Sequence, residues 1–223
     1  MITGKKDREE FAKQSIINFK RQSYKHKFLI IVNHGNRITY DSENNIIEIL
    51  IPKKKLGTMR NMALDLVPPD AIWTTWDDDD WRSDDYLHTL FKALSTKRYL
   101  MYRNRLDHNL NTNFTYTAHI PTGTYIFFCY KNPVMKYDEL DTKEDAIIKK
   151  YILQRMDKTI IYDNDPSIYI RFIHKNNTSV YVNPYKENTY NHTNKAVYFE
   201  TKATDEHIRY VNNIKKKYYH NVK

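Results

Sequence analysis

A single cysteine, Cys129, in 223 residues leaves nothing for an internal disulfide framework and suits a reducing compartment. Triplets such as Asn113-Phe114-Thr115 therefore carry no weight as glycan acceptors. No apolar run approaches the length of a membrane span. The opening Met1-Ile2-Thr3-Gly4-Lys5-Lys6 lacks the apolar core of a signal peptide. These absences predict a cytoplasmic protein with no transmembrane segment, in the host cytoplasm if the chain is viral. Glycine is scarce, with four residues, and Gly4-Lys5-Lys6 is only a trace of a glycine-rich basic phosphate loop. Internal repeats and low-complexity tracts are missing too. Acids are outnumbered, 27 against 36 Lys and Arg, for a net charge of +9. That balance favours anionic partners (nucleic acid, an acidic membrane surface, phosphorylated small molecules) or serves solubility alone. A hydrophobic share of 40% and a mean hydropathy of −0.78 describe a polar-surfaced chain. Its length is enough for one domain with a full core.

What stands out is Trp73-Thr74-Thr75-Trp76-Asp77-Asp78-Asp79-Asp80-Trp81, an apolar run that climbs into four consecutive carboxylates. Adjacent acids repel, so holding them in place calls for a compensating cation. An oxygen-seeking divalent ion such as Mn²⁺ or Mg²⁺ is the usual one. A solvated acidic loop is the bland alternative. The acids follow what reads as a buried strand, however, and ligands of open α/β sheets gather at the carboxyl ends of strands.

Around that stretch the pattern alternates. Asp7-Arg8-Glu9-Glu10 has the form of a capping box, and Ala12, Ile16 and Phe19 recur at helical spacing, predicting a helix over 7–22. Residues 28–32 and 46–51 are continuously apolar and β-branched, as in parallel strands covered on both faces. Met59, Met62, Ala63 and Leu66 share a helix face that ends at Pro68-Pro69. Residues 71–76 form the strand that delivers the acids, and Ser83 caps a helix carrying Leu87, Leu90, Phe91 and Leu94. Strands are expected over 98–104, 114–119, 124–130 and 167–174, and a helix opens at Thr142-Lys143-Glu144-Asp145. Residues 183–194 read as a polar loop and 204–219 as a closing helix. The whole is an α/β chain, one domain in which residues 1–97 form a half of the nucleotide-binding kind, 98–200 a second, mixed half (the acceptor half, by the resemblance given next) and 201–223 a C-terminal helix.

Several of these stretches, in this order, resemble family-2-like glycosyltransferases of the GT-A fold, of the small microbial or large-DNA-virus type. Arg8, the Gln22-Ser23-Tyr24 turn and Leu29-Ile30-Ile31-Val32 look like that family's opening helix, turn and second strand. Leu56-Gly57-Thr58-Met59-Arg60-Asn61 is similar to its helix start, Trp76 to Trp81 to its D-x-D-D metal motif, and Glu144-Asp145 to its acceptor-side acid pair. Arg171 to Ser179 is similar to its late segment with Arg, His, Asn and Ser, so the likeness covers 1–179. In two places the chain departs. The first strand before Thr3 is very short, or the chain is a piece of a longer one. Val32-Asn33-His34-Gly35 stands where the family shows paired acids that help to read the base.

The resemblance implies a GT-A-like domain, its central sheet mostly parallel with helices on both faces and its acceptor half mixed. It implies an inverting transfer of sugar from a nucleotide-diphosphate sugar, UDP-sugar favoured, to a glycan or glycoprotein hydroxyl, with Mn²⁺ or Mg²⁺ as cofactor. Asp79 would ligate the metal, Asp77 would lie nearer the ribose or an outer water, and His174 would add a metal or diphosphate contact. Asp80 would support the site or start a helix. Thr3, Arg8, Asn33, Gly57, Arg60, Asn61, Asp77 and Asp78 would bind the nucleotide sugar. Asp145 would take the acceptor proton, although Thr142-x-x-Asp145 is also a capping pattern. Trp76 and Trp81 could stack on sugar or base, or pack in the core. Lys53-Lys54-Lys55 could border the diphosphate or form a solvated turn. Lys215-Lys216-Lys217 with Tyr218 and Tyr219 could rest on an anionic membrane or end a solvated helix. Two other classes compete: a nucleotidyltransferase, which needs the phosphate loop noted above, and a basic nucleic-acid-binding module, which four acids in the cleft oppose.

Overall fold

The structure, a computed structural model, describes residues 1–39, 45–120, 123–124, 126–163, 165–174, 177 and 199–219. The chain opens with β1 (Ile2–Thr3), a 3₁₀ turn at Lys6–Arg8 and α1 (Glu9–Arg21), then β2 (Leu29–Asn33), β3 (Ile46–Leu50) and α2 (Leu56–Asp65). Next come β4 (Ile72–Thr74), β5 (Asp80–Arg82), α3 (Tyr86–Leu94), β6 (Tyr99–Tyr102), β7 (Asn104–Asn109), β8 (Phe114–His119) and β9 (Phe127–Tyr130). The last elements are α4 (Ala146–Leu153), β10 (Thr159–Tyr162), β11 (Tyr169–Ile173), β12 (Phe199–Lys202) and α5 (Asp205–Tyr218). The predicted polar loop over 183–194 and the closing part of the late motif, Thr178-Ser179, lie outside the described residues.

The chain is mixed α/β, but its described strands form three sheets instead of one central, mostly parallel sheet. The order β1-β2-β3 is parallel throughout. The order β10-β6-β9-β4 is parallel only between β10 and β6. The order β12-β8-β7-β11-β5 is parallel only between β7 and β11. The strand expected over 98–104 divides at Arg103, whose N–H continues the β10 pairing at Tyr162 while its carbonyl accepts from Ile120. The chain passes there from the second sheet into the third.

Period-two alternation explains how the second sheet is covered. Leu100, Tyr102 and Phe128 point into a core shared with Ile16 and Phe19 of α1 and Leu87, Leu90 and Leu94 of α3. Tyr99, Met101, Phe127 and Cys129 point the other way, onto Ile148 and Ile152 of α4. Each such side chain, fully buried, contributes about 1.5–3 kcal/mol. In the third sheet Trp81, Ile170 and Leu106 lie side by side against Val211 and Ile214 of α5. The opposite face carries the paired row Asp80, Arg171 and Asp107.

Helix starts differ from expectation. The first turn is wound as 3₁₀, α1 is capped at Arg8 without a side-chain bond, and Asp7 with Glu10 makes no capping box. Ser83 does not cap α3; its hydroxyl donates to Asp85 and its carbonyl accepts from Tyr86. Likewise α4 begins at Asp145 with no side-chain cap, leaving that carboxylate out of helix capping. Thr204 does cap α5, accepting from the His207 N–H. The two tryptophans beside the acids are core. Trp76 packs edge-on against Phe19 beneath the Arg82 guanidinium, and Trp81 packs edge-on against Tyr210. Neither is placed to stack on a sugar. Tyr219 is buried against Phe11 and Phe172.

Candidate functional site

The acids follow β4 and run into β5, so the strand pairing of β5 with β11 holds the last of them while the first stay on the connection. Their mutual repulsion is met by guanidinium groups. One Arg8 nitrogen reaches both Asp78 and, at 2.6 Å, Asp79. Arg60 lies 3.2 Å from Asp77. Arg8 is thus 9% exposed and faces inward, where a solvated helix start would leave it in water. The Arg82 head lies over Trp76 and donates to the Thr75 carbonyl.

The four carboxylates end in different states. Burial pushes Asp78 and Asp80 above the usual range, with neighbouring acids adding to the rise. Tyr169 donates its hydroxyl to Asp80. Burial would raise Asp79 as well, but Arg8 and then His174 overcome it and hold that carboxyl low. Asp77 is the open one, 38% exposed at its side chain. His174 Nε2 lies 3.1 Å from Asp79 Oδ2, and its ring stacks on Phe11 at 4.6 Å. Asn177 donates to the same Asp79 oxygen at 2.8 Å, a contact that sequence reasoning missed although the residue lies inside the late motif.

Among the described residues no group of three His, Cys, Asp or Glu side chains forms a metal cage. Asp79 and His174, in contact at 3.1 Å, are a carboxylate and imidazole pair that could hold a divalent cation, provided that Arg8 and Asn177, which bond to the same Asp79 oxygen, give way to it. Ions of this kind commonly take one or two carboxylates and complete their shell with substrate phosphate and water.

Towards β1 the site continues into a cavity lined by Thr3, Gly4, Lys5, Lys6, Glu9, Asn33, Gly35, Asn36 and Ile38. It opens at the carboxyl ends of the parallel strands β1 and β2, where ligands of such sheets bind. Thr3 joins the two regions, lining the cavity while its side chain bonds to Asp78. Gly4, at φ +135°, and Gly35 touch backbone to backbone, and a Cβ on Gly35 would lie 2.5 Å from the Gly4 carbonyl oxygen.

On the other side, α2 ties the acids to the 137–145 segment. Arg60 Nε lies 3.0 Å from Glu144, so one guanidinium spans Asp77 and Glu144. The Asn61 amide donates to the Tyr137 carbonyl at 2.9 Å and accepts from its N–H at 2.8 Å. Gly57 lets the chain pass, because a Cβ there would meet the Asp138 carbonyl oxygen at 1.7 Å. Gly57 and Asn61 therefore touch this segment, while Arg60 reaches the acids. Asp145, half-buried beside Glu144, is raised to about 6 by burial and then by that neighbouring charge.

Asp77, Asp78, Asp79, Arg8, Thr3, Arg60 and His174 thus come together, Asn33 lines the adjoining cavity, and Asp145 is linked to them through Glu144 and Arg60. Lys53-Lys54-Lys55 is exposed, and Lys215 donates to Asn113. No helix among the described residues is long and apolar enough to cross a membrane.

No protein-family model and no curated protein matches the chain. Among solved structures it is similar to S. aureus TarS 1–349 in complex with UDP-GlcNAc, with a TM-score of 0.59 and 14% identity. The likeness covers 81% of this chain and 60% of that one, so the chain spans about three-fifths of the length of the structure it matches. What the two share is a fold of the GT-A type.

Proposed function

We propose that this chain is a metal-dependent inverting glycosyltransferase that moves a sugar from a nucleotide-diphosphate sugar, a UDP-sugar by preference, to an acceptor hydroxyl. One observation carries the reading. Arg60 bridges Asp77, at the strand-end acids, to Glu144, whose neighbour Asp145 has a carboxyl poised near neutrality. A donor-side charge cluster and a candidate base thus face one another across a single guanidinium. The fold shared with a UDP-GlcNAc-bound protein supports the donor class.

The nucleoside would lie in the cavity at Thr3 and Asn33, with the diphosphate running over Thr3 towards Arg8 and Asp79. Asp145 would accept the proton of the acceptor hydroxyl as its oxygen bonds to the anomeric carbon. The bond from that carbon to the diphosphate breaks, its electron pair leaves on the phosphate oxygen, and the nucleoside diphosphate departs. Arg8 and Arg60 offset the charge that builds on it. Asp79 and His174 would hold Mn²⁺ or Mg²⁺, which when bound neutralises the leaving diphosphate.

A screen of nucleotide sugars with and without Mn²⁺, read by thermal stabilisation and slow donor hydrolysis, tests the proposal. A true donor at a hundred times its Kd stabilises the fold by about 2.7 kcal/mol. Asp79→Ala should keep the fold and lose metal-dependent transfer. Full activity in that variant, or indifference to every nucleotide sugar, removes the proposal.

A further inference from the structure

The end of β2 carries Asn33 and no carboxylate at the mouth of the cavity, yet a carboxylate sits directly behind it. Glu48 of β3 pairs in register with Ile31 and so points to the same side of the sheet as Ile31 and Asn33. Its side chain is 1% exposed. A buried carboxylate is costly unless its oxygens are bonded. Glu48 Oε1 accepts from the Asn33 amide at 2.6 Å and from the Ile38 N–H at 3.1 Å, and Oε2 accepts from the Thr39 N–H at 3.0 Å. The Arg37 guanidinium lies 3.9 Å away.

Asn33 passes this constraint on. With its amide donating to Glu48 and to the Asn36 carbonyl at 2.6 Å, its oxygen is turned to accept from the Gly35 N–H at 2.7 Å. Such a side-chain turn fixes the backbone two residues on. Gly35 is in turn pressed against Gly4 on the opposite wall. One carboxylate therefore orders residues 33–39, of which Asn33, Gly35, Asn36 and Ile38 line the cavity. On this side the cavity is lined by two amide side chains, Gly35 and Ile38, groups that recognise hydrogen-bonding edges and flat apolar surface, while Lys5, Lys6 and Glu9 carry the charge on the β1 side.

We infer that Glu48 is a positioning residue for nucleoside recognition: acting through Asn33 and the 38–39 peptide groups, it presets the wall against which the base of a nucleoside diphosphate is read. This rests on the function proposed above. Its specific content is that base discrimination belongs to a residue that does not touch the base.

The test measures Kd for UDP, CDP, ADP and GDP, and the hydrolysis of the best nucleotide sugar, in the full chain and in Glu48→Gln. The amide that Glu48→Gln introduces would present its own N–H groups to N–H donors, so one of the two acceptor positions loses its partners. The expected result is a rise of about tenfold or more in Kd for the preferred nucleotide, consistent with one or two lost charge-assisted bonds. The spread among the four bases should narrow, while kcat at saturation changes less than about threefold, because the acids and Asp145 are untouched. A residue that merely held the fold together would lower the melting temperature without reordering the bases. Unchanged Kd values and base ranking in folded Glu48→Gln overturn the inference and leave the glycosyltransferase proposal intact. Failure of the unaltered protein to bind any of the four nucleotides removes both. Should Glu48→Gln not fold, Asn33→Ser, too short to reach Glu48, must show the same loss of discrimination. Amide hydrogen exchange on the unaltered protein decides independently: Ile38 and Thr39 should exchange slowly for loop positions and more slowly with bound nucleotide, and fast exchange in both states overturns the assignment.

Discussion

Asp145 has a carboxyl lifted to about 6, first by burial and then by the charge of Glu144, with Arg60 opposing. In its proposed role as base Asp145 works when deprotonated, so kcat/KM is expected to fall as pH drops below about 6 and to level off above it. Asp145→Asn should reduce transfer by about 10²–10⁴-fold. Glu144→Gln removes a repelling charge, so the acid limb should move to lower pH; a pH-rate profile of both variants checks the pair. At Gly57 sterics predict the reverse of ordinary helix behaviour. Alanine is usually better than glycine inside a helix by up to about 1 kcal/mol. Here the added Cβ would lie 1.7 Å from the Asp138 carbonyl oxygen. Gly57→Ala should therefore lose about 1–3 kcal/mol by chemical denaturation, and activity with it, because the displaced segment carries Asp145. Arg8→Gln leaves Asp78 and Asp79 without their shared partner, and breaking a buried pair costs about 3–5 kcal/mol. Asp78 can protonate in response, so the loss, read by urea titration, should fall near the low end.

At the scale of elements, His108 gives β7 a pH dependence of its own. Its Nδ1 lies 2.8 Å from the Thr115 hydroxyl on β8, and burial, followed by Lys215, lowers it to about 4. An unfolded histidine titrates near about 6.5. Between those values the unfolded chain binds more protons than the fold, so this contribution is whole above about pH 6.5 and declines as pH falls towards about 4. The loss is at most roughly 3–3.5 kcal/mol. Urea titrations near neutrality and in mild acid should show it as a smaller acid loss in His108→Gln than in the unaltered protein, the raised carboxyls of Asp78, Asp80 and Asp145 contributing equally to both. Elements with a strong local period were legible in the sequence. β2, β3 and the helices α1 to α5 lie within a few residues of expectation, because apolar spacing alone decides which face they bury. β5 was hidden. Asp80 and Arg82 resemble the end of an acidic loop, and only pairing with β11, far along the chain, makes them a strand. β10 was missed as well; Thr159–Tyr162 follows directly on a 3₁₀ turn without a turn signal of its own, and only pairing with β6, far back in the chain, makes it a strand. The same limit applies to the site. The acids, Arg60 and Asp145 were visible as motifs, whereas Arg8 on Asp78, Asn177 on Asp79 and Glu48 behind Asn33 come together only once the sheets have formed. Four adjacent acids do need positive charge beside them, but arginines supply it in the fold, so a metal must be tested by binding and not inferred from repulsion.

Across the whole molecule, strands from early and late sequence share their sheets. β4 pairs with β9, β5 with β11, and α3 packs on both β6 and β10. A cut between Lys97 and Arg98 would part β4 and β5 from these partners, yet the sequence on either side looks like a self-sufficient half. Neither piece could close its sheets unaided, since each would expose unpaired strand edges that invite aggregation. Produced together, the same two pieces should recognise one another and regain nucleotide binding, which size-exclusion chromatography and a thermal-shift assay would detect. The protein is thus suited to be a split reporter, silent as fragments and restored on reunion, because the stretches before and after the cut are laced through one another rather than set side by side.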